Sequence, residues 1–232
     1  MVFAKHWTPG RAKTRLAAAI GDRPAAELAL EFLRATMCQL EALPIATRRL
    51  AYAPRSEGGA FRRLASTRPV RWELEPQTDG DLGDRMQAVL STAGSVVIVG
   101  SDTPDLPTAA VYDALLWLGV GEPRFVLAPT DDGGYWLVGG QGTPPPVFAN
   151  MPWGGPTVLS ESVDRLAAAG WRRDDGYRLL TPWYDVDTQR DLIALARRLA
   201  ARDELPDHLD ALLRRLRPYL SDDPSSLPRS AL

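Results

Sequence analysis

Residues 95–102 read SVVIVGSD, and the class of the whole chain turns on them. Val96 to Val99 are four consecutive β-branched residues. Such a run suits a strand buried on both faces, because a strand with one wet face alternates polar and apolar side chains. Asp102 stands just past the end of the run. TPDLPTAAVYDALLWLG follows, a helix opened by Pro107 or Thr108 and closed by Gly119. A doubly buried strand feeding a helix is the unit from which parallel sheets are built.

The same alternation runs outward in both directions. MVFA is a short strand, KHWTPG a loop, and from Arg11 the pattern suits a helix with Leu16 and Ile20 on its apolar face. GDRP at Gly21 to Pro24 splits off a second helix carrying Leu28, Leu30, Phe32, Leu33 and Leu40. ATRRLAYAP, VRWELEPQ, RFVLAPT and YWLVGG hold further strands, and PTVLSESVDRLAAAG is a helix that stops at Gly170. The pattern predicts an α/β, single-domain three-layer sandwich with a mostly parallel central sheet over residues 1–220. HLDALLRRLRPYL reads as a basic surface helix, and 221–232 as a loose tail. In such sheets ligands bind beyond the carboxyl ends of the strands, so the loops after strands are where chemistry is sought.

Composition narrows the partners. The 232 residues include 27 basic and 29 acidic ones, a net charge of −2, which gives no electrostatic case for nucleic acid. The lone cysteine, Cys38, excludes an intramolecular disulfide and a cysteine-based zinc site, and reads as a core thiol. No apolar run approaches the roughly eighteen residues of a membrane span, and the start lacks a leader-like pattern, so a cytoplasmic protein is expected. Two histidines, His6 and His208, do not assemble a Ser/His/Asp or Cys/His arrangement.

Four loops carry the chemistry. In WTPGRAKTRL, residues 7–16, a glycine turn leads into cations at Arg11, Lys13 and Arg15. Basic residues at a helix start oppose the helix dipole, whereas a phosphate held there would reverse the sign; a solvated basic helix start is the plainer alternative. Neither a Walker A loop nor a GxGxxG is present. In GSDTPDLP, Asp102 follows the most buried strand, where a carboxylate is costly unless paired or bound to a cation, and Mg²⁺ favours one or two carboxylates plus phosphate oxygens. Asp105 is the better candidate for capping the helix that follows. PTDDGGYWLVGG reads as an Asp-Gly hairpin turn that also lets a ligand approach closely. In WYDVDTQRDL, Asp185 and Asp187 alternate and could converge on one cation, or Asp187 or Thr188 caps the next helix. QTDGDLGDRM, residues 77–86, is a fifth polar, glycine-rich segment.

Taken in order, FAK…TPGRAKTRL, QTDGDLGDRM, VIVGSDTPDLP, APTDDGGYWLVG, MPWGGPTV and DVDTQRDL resemble the motif series of the radical-SAM/selenodomain-associated transferase family, which is GT-A-like. More distantly they are similar to 2-phospho-lactate guanylyltransferase and the molybdopterin nucleotidyltransferases. The likeness spans Val2 to about Leu195, and departs from the family's Pro-x-Pro-Gly, which here reads His6-Trp7-Thr8-Pro9-Gly10. It implies a GT-A, nucleotide-diphospho-sugar transferase fold, with Gly10, Arg11, Lys13 and Arg15 on phosphates. Asp102 is then the first Mg²⁺ (or Mn²⁺) ligand, and Asp187, or less favourably Asp185, the second. Asp132, Gly133, Gly134 and Asp81 fall on the acceptor side.

The implied substrates are a nucleotide or nucleotide sugar and a small-molecule acceptor. Glycosyl transfer from a nucleotide sugar comes first and needs a base, Asp132 or Asp131. The alternative is nucleotidyl transfer onto a phosphorylated acceptor, with Lys13 stabilising the departing pyrophosphate. A non-catalytic nucleotide-binding protein is the third reading.

Overall fold

The computed structural model describes residues 1–92, 94–121, 123–142 and 144–220, so the expected tail at 221–232 lies outside the described residues. The strands are β1 (Val2–Lys5), β2 (Arg49–Ala53), β3 (Glu73–Pro76), β4 (Val96–Gly100), β5 (Arg124–Pro129), β6 (Tyr135–Gln141) and β7 (Tyr177–Leu179). The helices are α1 (Thr14–Ile20), α2 (Asp22–Glu41), α3 (Gly58–Ser66), α4 (Leu82–Leu90), α5 (Thr108–Leu118), α6 (Val158–Ala168), α7 (Gln189–Ala200) and α8 (Asp207–Leu216). The fold is α/β, as expected, with one central sheet.

The sheet order is β3-β2-β1-β4-β6-β5-β7. Helix-bearing crossovers leave β1/β4, β2/β3 and β5/β7 parallel, and β6 runs antiparallel to both β4 and β5. A short connection explains the reversal, because a tight turn can only join antiparallel strands. Thr130 N donates to Gly134 O at 3.1 Å and Gly133 N to Thr130 O at 3.2 Å, closing the hairpin expected at TDDGG.

The chain gathers into two compact units. One comprises Met1–Ala4, Ile45–Gly100 and Pro107–Tyr184; it holds the sheet with α3 to α6. Its core gathers Met86, Ile98, Phe125, Leu127, Val138 and Phe148. The other comprises Lys5–Pro44, Ser101–Leu106 and, among the described residues, 185–220, with α1, α2, α7 and α8. Its core includes Leu16, Phe32, Val186 and Leu195, together with Leu209, Leu212, Leu213 and Leu216 of α8. Those four leucines recur at helical spacing, so α8 is wet on one face only, with Asp207 and Asp210 balancing Arg214 and Arg215; each buried leucine contributes about 1.5–3 kcal/mol.

Three sequence expectations need correction. The helix expected from Arg11 begins at Thr14, because Lys13 takes a left-handed backbone at φ 50°, ψ 48°, which no helix interior accepts. Asp105 does not cap α5, whose N-cap is Pro107 with no side-chain bond; it is fully buried and paired elsewhere. The elements α3 and β7 have no counterpart in the sequence pattern: α3 opens on Gly58 and Gly59, poor helix formers, and β7 is three residues, too short for a period to show. No helix among the described residues is long and apolar enough to cross a membrane.

Candidate functional site

The site lies in the unit that holds α1, α2, α7 and α8, on three stretches: the loop before α1, the Ser101–Leu106 loop and the segment before α7. In the first stretch Thr8 O accepts from Arg11 N at 3.0 Å and from Ala12 N at 3.1 Å, and Gly10 turns the chain at φ +75°. The three basic residues then diverge. Lys13 is drawn inward, with 4% of its side chain exposed, while Arg11 stays in solvent and the Arg15 side chain is 70% exposed.

Lys13 Nζ sits between two carboxylates, 2.7 Å from Asp102 Oδ1 and 3.0 Å from Asp187 Oδ1. Phe32 lies beneath it, its ring centroid 5.8 Å from the ammonium. Arg15 Nη1 is 3.9 Å from Asp187 Oδ2, close enough for attraction and too long for a hydrogen bond. Of the carboxylates, Asp102 is 48% and Asp187 41% exposed, so each keeps an open side.

Backbone bonds bring the two carboxylates together. Val186 N donates to Asp102 O at 3.0 Å, joining the loop to the segment before α7. Val186 itself is fully buried in the core, which turns its neighbours Asp185 and Asp187 away from that core, as alternation requires. Asp185 does not share the lysine: its Oδ1 accepts from Thr103 Oγ1 at 2.7 Å. The cap of α7 is Thr188, whose hydroxyl accepts from Asp191 N at 3.3 Å while Asp191 Oδ2 accepts from Thr188 N at 2.8 Å. Asp187 is therefore not needed as the cap.

Charges here are strongly coupled. Burial by itself pulls the Lys13 ammonium down, but the charges of Asp102 and Asp187 and their hydrogen bonds outweigh it, so its pKa is raised. For Asp185, burial pushes the carboxyl up to about 6; the Thr103 bond opposes, the Asp102 charge adds, Lys13 opposes and Asp187 adds. Among the described residues no group of three or more His, Cys, Asp or Glu side chains gathers to cage a metal. What is present is a pair of half-exposed carboxylates already converging on one positive charge. That donor set suits a divalent ion such as Mg²⁺, which rests on one or two carboxylates and completes its shell with phosphate and water oxygens.

The residues expected on the acceptor side lie in the unit that holds the sheet. Asp132 Oδ1 accepts from Thr130 Oγ1 at 2.6 Å and Gly134 N at 3.1 Å, so this carboxylate shapes the hairpin turn. Gly133 has φ +87°, and a Cβ there would overlap the carbonyl oxygen of Pro156; its own carbonyl accepts from Leu159 N at 2.8 Å. A side chain on Gly134 would lie 3.2 Å from Thr130 Oγ1. Asp81 N-caps α4 in a capping box with Asp84.

A family described as "Uncharacterized protein conserved in bacteria (DUF2064)" matches residues 36–155, just over half the chain. The chain belongs to the DUF2064 family. The stretch matched to DUF2064 holds Asp81, Asp102 and Asp132, while Lys13 and Asp187 lie outside it. Among solved structures, a protein provisionally named a nucleotide-diphospho-sugar transferase, from Desulfovibrio desulfuricans G20, is 30% identical. The likeness covers 94% of this chain and 96% of that one, with a TM-score of 0.78. A homolog of Mycobacterium tuberculosis rv0371c, from Mycobacterium sp. strain JC1, is 19% identical over 92% of this chain and 97% of that one, with a TM-score of 0.47. CMP:2-keto-3-deoxy-manno-octonic acid synthetase, in complex with CTP, is 12% identical over 84% and 94%, with a TM-score of 0.48. Neither of these two likenesses is near enough to carry chemistry. Among curated proteins none matches this DUF2064 chain.

Several residues that build the site do not stand out in the sequence as candidates. Thr103 anchors Asp185, Gln39 Nε2 donates to Leu106 O at 3.2 Å, and Arg198 pairs with Asp105. Only Thr103 carries a signal, as the hydroxyl next to Asp102; Gln39 and Arg198 sit in helices whose polar residues look like any solvent face.

Proposed function

We propose that the protein is a Mg²⁺- or Mn²⁺-dependent transferase that acts on a nucleotide sugar and a small-molecule acceptor. One observation carries this reading: Asp102 and Asp187, from distant parts of the chain, meet on a single cationic atom at 2.7 and 3.0 Å. Asp102 and Asp187 would hold the divalent ion, and Lys13, Arg15, Arg11 and the Gly10 turn would face the phosphates. When bound, the ion offsets the negative charge of a diphosphate leaving group. Lys13 then has two claims on its charge, the carboxylates it touches now and a phosphate oxygen, and Arg15 adds a second, more exposed cation.

Glycosyl transfer requires a base for the acceptor, and Asp132 is the candidate, with Gly133, Gly134 and Asp81 on the acceptor side. Because Asp132 Oδ1 already accepts two bonds within the turn, the proton would be taken at Oδ2. The likeness to the Desulfovibrio protein named a nucleotide-diphospho-sugar transferase supports a sugar donor. Kinship with the radical-SAM/selenodomain-associated transferases belongs to the same reading.

A second reading, nucleotidyl transfer with release of pyrophosphate, is favoured by the placement of Lys13 and Arg15 beside the carboxylates. Two cations next to a metal-binding pair suit a leaving pyrophosphate, and a phosphorylated acceptor needs no base. Incubation with a panel of nucleoside triphosphates and nucleotide sugars, with Mg²⁺ or Mn²⁺ and varied acceptors, separates the two. Release of nucleoside diphosphate supports sugar transfer, and release of pyrophosphate supports nucleotidyl transfer. Nucleotide binding with neither product across the acceptor panel makes the protein a non-catalytic binder and overturns both.

A further inference from the structure

We propose that Arg198 is a positioning residue for Asp102, so that α7 sets the separation of the two carboxylates. The inference rests on the metal-site reading above. Asp187 stands directly before the Thr188 cap of α7, and Arg198 lies near the other end of the same helix. Arg198 Nε donates to Asp105 Oδ2 at 2.9 Å and Nη2 to Asp105 Oδ1 at 3.2 Å, a two-pronged contact that fixes direction as well as distance.

Asp105 is 0% exposed, and a second guanidinium, Arg202 Nη2, lies 3.8 Å from its Oδ2. A buried ion pair is a poor way to gain stability, since apolar residues of similar volume often do as well or better. Its value here is geometric. Asp105 shares with Asp102 the Ser101–Leu106 loop, whose turn is closed by Leu106 N donating to Thr103 O at 3.2 Å. The loop is therefore held by Val186 at Asp102, by Asp185 at Thr103, by Arg198 at Asp105 and by Gln39 at Leu106. Releasing the Asp105 point loosens the end of the loop that follows Asp102, so that Asp102 is held less firmly against Lys13 and Asp187. One helix thus carries one carboxylate at its start and holds the loop of the other near its end.

The test uses the full chain with Mn²⁺ alone as probe, its free concentration read by electron paramagnetic resonance, together with native-state hydrogen exchange. The informative amide is Val186, which donates to Asp102 O; Leu33 in α2, 1% exposed in the core, reports global opening. Arg198→Gln should weaken Mn²⁺ binding by up to about tenfold, the low end of the loss seen when a ligand's own hydrogen-bond partner is removed, because Arg198 acts on Asp102 through Asp105. It should speed Val186 exchange well beyond any change at Leu33, and Arg198→Lys should recover part of both losses. Val186 accelerating only in step with Leu33 overturns the proposal. If wild type and Asp102→Asn bind Mn²⁺ equally, the metal-site reading falls, and the exchange comparison alone still decides whether Arg198 holds the loop. Should Arg198→Gln fail to fold, Asp105→Asn, which keeps the shape and drops the charge, is scored by the same two amides.

Discussion

Lys13 Nζ lies 2.7 Å from Asp102 Oδ1, with the lysine side chain 4% exposed and the aspartate 48% exposed. The ammonium has given up its water and the carboxylate has not, so the lysine depends on the pair more than the pair depends on the lysine. Lys13→Met should therefore change stability by only about 1 kcal/mol, as for other half-solvated ion pairs. Without nucleotide it should raise Mn²⁺ affinity roughly tenfold, because a positive charge beside a divalent ion is removed. Urea denaturation and an Mn²⁺ titration check the two parts; weaker Mn²⁺ binding would mean that Lys13 helps to hold the ion. The same variant should weaken a triphosphate more than a nucleoside, and equal losses would remove Lys13 from the phosphate side.

Asp185 makes the metal-free protein sensitive to acid in an uncommon direction. Burial raises its carboxyl from 3.8 to about 6, so the folded chain holds a proton that the unfolded chain releases. Between those values the folded state binds more protons, and the contribution of this group to stability falls as pH rises. Asp185→Asn keeps an acceptor for Thr103 without the charge. Under chelation it should gain stability over wild type above pH 6 and lose that advantage as pH falls toward 4. A difference that does not change across this window in paired denaturation curves would show that Asp185 ionises normally.

Asp132 can be separated into turn residue and base. Asp132→Asn retains Oδ1 as an acceptor for Thr130 and Gly134, so the hairpin should keep its stability within about 0.5 kcal/mol. If Asp132 is the base, sugar transfer should still fall by about 10²–10⁴. Turnover that survives the substitution leaves Asp132 with its turn alone.

Gly133→Ala meets two obstacles, a φ of +87° and the carbonyl oxygen of Pro156 where Cβ would stand. We expect a loss of about 2 kcal/mol or more in thermal or chemical unfolding. A loss of acceptor affinity with no loss of stability would instead make Gly133 a direct wall of a binding site.

How much of the fold and site is legible in the sequence follows the range of the interactions. Val96 to Val99 announce a buried strand from their neighbours alone, and Asp102, Lys13 and Asp187 stand out because each sits in a local setting where charge is unexpected. That Lys13 reaches Asp187 across 174 positions of sequence, through a left-handed backbone at Lys13, is written in no local pattern. WTPGRAKTRL reads as a glycine turn leading into three cations suited to a phosphate, yet Lys13 is buried on carboxylates while Arg11 and Arg15 face solvent. Asp105 shows the same limit from the other side. Its position before LPTAAV suits a cap, and only the packing of α7 makes it a buried partner of Arg198. The split of labour in DVDT, where Thr188 caps and Asp187 is left for Lys13, depends on which side chain Asp191 meets.

The claim on which the rest depends is that Asp102 and Asp187 form a divalent-ion site for a nucleotide-linked substrate. Calorimetric titration of nucleoside di- and triphosphates and nucleotide sugars, with and without Mg²⁺, into wild type and Asp102→Asn tests it directly. We predict Mg²⁺-dependent nucleotide binding in wild type that is lost in Asp102→Asn with an unchanged circular dichroism spectrum. Equal Mg²⁺-dependent affinity in the two proteins would contradict it.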